Sequence, residues 1–138
     1  MRSMVTLRVM GDGSRAASHV TETLGIEPTA SFEVGDPVGR GSDKTRTHSG
    51  WLLQNTVTPE DGVELADALR RVIELVEPAA ASLWGLESEG YRVNWSCYLG
   101  SHAAEHAAEL DRRTLERLLA LPGDLWLDVY SDLFAAER

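Results

Sequence analysis

Gly50-Trp51-Leu52-Leu53-Gln54-Asn55 reads as a short apolar strand, and the chain's clearest amphipathic helix follows it, from Pro59 to Glu77. Leu65, Leu69, Val72, Ile73 and Val76 recur at helical spacing and mark one buried stripe. Thr58 stands where an N-cap belongs, Pro59 takes the first helical position, and Asp61 adds charge that the free N–H groups favour. Pro78 stops the helix, since it has no N–H to donate. A strand and a one-sided helix in succession call for a sheet with helices packed on it.

On either side the pattern repeats. Val5, Leu7 and Val9 alternate with Thr6 and Arg8 in a first strand, Met4 to Met10. A Gly-rich turn follows, with Asp12 or Ser14 as N-cap of a short helix marked by Ala16, Val20 and Leu24. Gly25 ends that helix and Pro28 confirms the stop. Ser31 to Val34 is a short strand candidate.

Gly35 to Gly50 is a sixteen-residue loop with four Gly, expected to be flexible. Ala79 to Leu86 reads as a linker or another strand. Tyr91 to Leu99 alternates strongly, with Tyr91, Val93, Trp95, Cys97 and Leu99 on one face. Residues 101–110 read as a linker or insertion. Asp111 then caps a third helix, with Leu110 and Leu115 forming a staple and Leu115, Leu118 and Leu119 its buried stripe. Leu125 to Ser131 is the last strand, Leu125, Leu127 and Val129 turned inward and Trp126, Asp128 and Tyr130 outward.

The order predicts a single α+β domain over 1–138. It is a two-layer sandwich with a four- to six-stranded, mostly antiparallel sheet, ferredoxin-like βαββαβ plus αβ, and helices on one face.

Composition narrows function mainly by exclusion. A net charge of −9 argues against nucleic-acid and anionic-membrane partners. Cys97 is the lone cysteine, so neither an internal disulfide nor a multi-cysteine metal site is expected. Without a signal-like opening or a spanning apolar run, a cytoplasmic protein is expected. Residues 60–89 carry eight acidic groups against two Arg, an acidic flank suited to a basic partner.

Several short motifs have the form of chemistry without its context. His102-Ala-Ala-Glu105-His106 matches an inverted zinc-protease pattern, but a third ligand well downstream is missing. Gly39 to Thr45 has phosphate-loop flavour, yet Asp43 stands where glycine must precede the Lys. Cys97 could pair with a His as a nucleophile, but it alternates with Val93, Trp95 and Leu99 on an apolar face and reads as inert. No catalytic, cofactor or metal residue is therefore assigned.

The outward sheet face is the candidate site. It would present Arg8, Gln54, Arg92, Asn94, Tyr98, Trp126, Asp128 and Tyr130, and Arg, Trp and Tyr are enriched at binding hot spots. The expectation is a non-catalytic protein-binding module, in one form an immunity-type neutraliser of a basic toxin. The alternatives are a small-ligand binder or enzyme using loop 35–50 over that face, and a homodimer packed through it.

Leu24-Gly25-Ile26-Glu27-Pro28-Thr29, Gly35-Asp36, Gly50-Trp51 and Leu127-Asp128-Val129-Tyr130, with the opening strand, resemble the bacterial domain-of-unknown-function family 4279. The resemblance spans nearly the whole chain, although 101–109 has no counterpart. It implies a small α+β domain with no established activity and brings no catalytic residues with it.

Overall fold

The computed structural model describes residues 2–57, 64–101 and 108–131. Five strands, β1 (Arg2–Gly11), β2 (Ala30–Phe32), β3 (Ser49–Val57), β4 (Arg92–Ser101) and β5 (Asp124–Ser131), form one sheet in the order β2-β3-β1-β4-β5. The first four pair antiparallel, and β5 joins β4 in parallel. The helices are α1 (Ala17–Leu24), α2 (Leu65–Val76), α3 (Ala80–Ser88) and α4 (Arg112–Leu119). The β1-α1-β2-β3-α2/α3-β4 portion is thus a ferredoxin-like unit, and α4 carries the chain over to a fifth strand.

Alternation along the strands divides the sheet. Val5, Leu7, Val9, Trp51, Leu53, Trp95, Cys97 and Leu99 are buried against Val20, Leu69, Val72, Ile73, Leu83 and Leu86 from the helices. The α2 stripe predicted from spacing, Leu65 to Val76, is buried as expected.

Helix ends show what sequence order hides. Glu64 caps α2 through a reciprocal box with Asp67; Thr58, Pro59 and Asp61 lie outside the described residues. At the start of α1, Ala16 occupies the cap position with no side chain to serve it. The Glu33 carboxylate serves instead, accepting from Ala17 N at 2.6 Å and Ser18 N at 3.0 Å. Neither Asp12 nor Ser14 is the cap, because Glu33, remote in sequence, satisfies the orphan N–H groups.

Asp111 does cap α4, accepting from Thr114 N. That helix is clasped to α2, with Arg70 reaching Asp67, Asp111 and the Thr114 hydroxyl. Arg117 grips Glu77 through two hydrogen bonds, at 2.6 and 3.0 Å. The hydrogen bond from Arg117 holds the Glu77 carboxyl below its ordinary range, and the Thr114 hydroxyl does the same for Asp111.

Three further expectations are corrected. Residues 80–88 form α3, neither a linker nor a strand: Pro78 sits at the start of a 3-10 turn, a position it tolerates, and the chain turns helical again behind it. On α4 the buried residues are Thr114 and Leu118, whereas Leu115 and Leu119 face solvent, Leu119 with 80% of its surface exposed. On β5, Leu127 and Val129 point to the helix side but remain 57% and 69% exposed, because no helix among the described residues reaches over them at this edge strand.

The segment between β2 and β3 folds back on itself. Pro37 and Thr45 form an antiparallel bridge, with Gly35 N donating to Arg46 O at 2.8 Å and Arg46 N to Asp36 O at 2.7 Å. The Arg46 guanidinium lies 4.0 Å above the Phe32 ring. Among the described residues no helix is long and apolar enough to cross a membrane.

Candidate functional site

The face of the sheet opposite the helices can be assembled from the register alone. Across β3, β1, β4 and β5 one row reads Leu52, Arg8, Asn94, Asp124, and the next reads Gln54, Thr6, Ser96, Trp126. A further row carries Thr56, Met4, Tyr98 and Asp128, with Tyr130 beyond it. All eight residues expected on the outward face are therefore on one side of the sheet. Thr6, at the middle of that side, is buried although no helix among the described residues covers it.

The eight do not form one cluster. Arg8, Arg92, Asn94 and Trp126 gather around a hollow of about 350 Å³ at the end of the sheet where β4 and β5 begin. Tyr98 and Tyr130 stack at 6.5 Å between centroids, beside Asp128, toward the other end of the same strands. Gln54 lies across the face on β3. Met10, Val93, Ser96 and Asp124 complete the hollow. The same alternation that marks Arg8 and Asn94 also marks Met10 and Ser96; what it lacks is any reason to prefer them over other even-numbered positions.

The hollow holds exposed donors that have no partner among the described residues. Among the described residues Arg8 and Arg92 have no carboxylate within ion-pair distance, unlike Arg70 and Arg117. Ser96 Oγ donates to Asn94 Oδ1 at 2.6 Å, which occupies the amide oxygen and leaves its NH2 free to donate. Trp126, 66% exposed, offers an aromatic surface at the rim. Two guanidiniums, one amide donor and one indole suit a carboxylate or similar anion carried by a group that packs on the ring.

A smaller hollow of about 200 Å³ adjoins through Met10, between Phe32 and the loop residues Val38, Arg46 and His48. A larger one, about 480 Å³, opens on the helix side at the same strand ends. Trp84, Leu119 and Leu121 wall it, and the Trp84 indole N–H is already committed to Ala120 O at 2.9 Å. Volume alone would favour that one; the convergence of free donors favours the hollow at Arg8 and Arg92.

The other motifs stand apart from this face. In the phosphate-loop look-alike, Val38 N donates to Lys44 O and Lys44 N to Ser42 Oγ, so both are committed within the loop. His19 lies against Glu89 and His48 against Asp12. His102 and His106 lie outside the described residues.

Cys97 is buried in the core, and burial pushes its thiol up to about 11. The folded protein should therefore resist a maleimide at pH 8 and react fully once unfolded in urea; prompt labelling of the native state would show the strand more open than this.

A family model described as "Domain of unknown function (DUF4279)" matches residues 1–132. No curated protein and no solved structure matches the chain.

Proposed function

The chain belongs to the DUF4279 family, and we propose that it is a non-catalytic protein-binding module working through the uncovered sheet face. The observation that carries this reading is the hollow at Arg8 and Arg92, with its free donors and its exposed Trp126. Asp124 in the wall of the same hollow offsets part of the positive charge of Arg8 and Arg92 without forming an ion pair with either. An incoming carboxylate gains bidentate hydrogen bonds from a guanidinium, while an apolar partner side chain covers the indole.

At long range the sign reverses. A net charge of −9 speeds encounter with a basic protein, as an immunity-type neutraliser of a basic toxin would require. Such a partner would dock an acidic segment on the arginines. On α2 and the 3-10 turn behind it the acidic flank is partly spent, since Asp67 and Glu77 are tied to Arg70 and Arg117. One observation favours a second reading, a small anionic ligand: the hollow's 350 Å³ falls within the usual size of ligand pockets.

Arg8→Ala, Arg92→Ala and Trp126→Ala are each expected to weaken association by more than ~1 kcal/mol while stability moves by less than ~0.5 kcal/mol. Calorimetric titration with the partner and urea melts of the same variants measure both quantities. Saturable binding of N-acetylglutamate, but not N-acetylglutamine, by NMR at the Arg8 and Arg92 side chains would support the small-ligand form. Unchanged association in all three variants, with loss in Cys97→Ala or His106→Ala, would overturn both.

A further inference from the structure

We propose that two copies of this chain join through the outer edges of β5, antiparallel, in a register centred on Leu127. This inference does not depend on the partner reading of the open face. Its starting point is the position of β5: eight residues long, last in the sheet, and bonded to β4 on one side only. Among the described residues nothing pairs with its other side. The opposite margin of the sheet ends in β2, only three residues long, a much poorer template.

An edge of that length is ordinarily protected by charged side chains, Pro or a bulge. From Asp124 to Tyr130 there is no Lys, Pro or bulge, the only charges are Asp124 and Asp128 on the uncovered face, and the parallel register with β4 runs without interruption. Apolar side chains stand on both surfaces, Trp126 on the uncovered face and Leu127 and Val129 on the helix side, all more than half exposed. Isolated exposed leucines need no explanation, but an uncovered row on an unpaired edge marks a surface that a second strand completes.

A second copy of this chain supplies such a strand, and two-fold symmetry then restricts the register. A two-fold axis normal to the sheet keeps the helix side of both copies on the same side. It sets residues of equal parity opposite one another, so the axis must pass through a residue. Centred on Asp128, the pairing sets that carboxylate against its own copy; centred on Trp126, it sets Asp124 against the partner's Asp128. Both are penalised.

Centred on Leu127, all residues from Asp124 to Tyr130 pair and no two carboxylates meet. Leu125 then faces the partner's Val129, and Leu127 faces its own copy, giving an unbroken apolar row on the helix side. Trp126 lies opposite the partner's Asp128. The two hollows at Arg8 and Arg92 end up on the same broad face of a continuous sheet.

Two chains of −9 repel, so association should strengthen with added salt, which screens that repulsion. Sedimentation velocity of the full chain from micromolar to millimolar concentration should show a dimer that is lost in Val129→Lys, with the urea melting of Val129→Lys unchanged. The register is read by mild oxidation. Leu127→Cys faces its own copy and should form an intermolecular disulfide at least about tenfold faster than Trp126→Cys or Asp128→Cys. A monomer at every concentration, a dimer that survives Val129→Lys, or crosslinking without preference for position 127 would each overturn the proposal.

Discussion

Trp95→Ala should lower the unfolding free energy by ~3–5 kcal/mol, the range for truncating a large buried aromatic. Against a total of ~5–15 kcal/mol for a domain of ordinary stability, that is a large share. Trp95 is fully buried at the centre of β4, opposite Leu7 on one side and Leu125 on the other. Its indole N–H donates to Pro122 O at 2.9 Å, a bond buried with the ring. Truncation therefore opens a cavity beneath the sheet and orphans a carbonyl in the connection between α4 and β5, and an unpaired buried group adds its own penalty. Trp95→Phe helps to separate the two contributions, since it keeps one aromatic ring in the core but loses the hydrogen bond. Urea melts should show midpoints falling in the order wild type, Phe, Ala, with similar slopes. Equal midpoints for wild type and Ala would mean that β4 does not lie across the core.

What was legible in the chain was whatever depends on local periodicity. Alternation in Met4–Met10 and Tyr91–Leu99 placed Arg8, Arg92 and Asn94 opposite the core, and register then brought them together. The helix stripe at Leu65–Val76 was read from spacing alone. What was not legible depends on where an element lies in the sheet. Leu125-Trp126-Leu127 alternates as well as any central strand, but β5 is an edge strand on which Leu125 alone of the inward residues packs against the core, while Leu127 and Val129 remain exposed. Residues 80–88 have no helical stripe, since Ala80, Ala81, Leu83, Trp84 and Leu86 surround the axis, and periodicity cannot separate helix from strand there. The cap supplied by Glu33 to α1 is a tertiary contact with no local signature. Whether Arg8 and Arg92 find carboxylate partners likewise depends on which acidic groups the fold brings near, and spacing says nothing about that.

Gly123→Ala should be strongly destabilising, for two reasons that act at the same atom. Gly123 adopts φ of 112°, a conformation that L residues rarely enter, and forcing alanine there costs ~1–3 kcal/mol. The added Cβ would also stand 2.9 Å from Val93 Cγ1 and Val93 O and 3.0 Å from Trp95 Cδ1. One of those is backbone and another a ring held by its hydrogen bond to Pro122 O, so neither yields easily. Overpacking of this kind costs a further ~1–3 kcal/mol. Gly85 is the control: it lies within α3 with nothing inside 4 Å of a Cβ, so Gly85→Ala should stabilise by ~0.5–1 kcal/mol. Opposite shifts in thermal melting are expected from the same substitution at the two sites. Because Gly123 immediately precedes Asp124 and sets the direction in which β5 starts, the damage should reach the hollow. The Gly123 variant, even where folded, should show altered Trp126 fluorescence, whereas the Gly85 variant should match wild type. Similar small shifts from both glycines would mean that the turn before β5 relaxes freely, and that β5 is not held against Trp95 as the register requires.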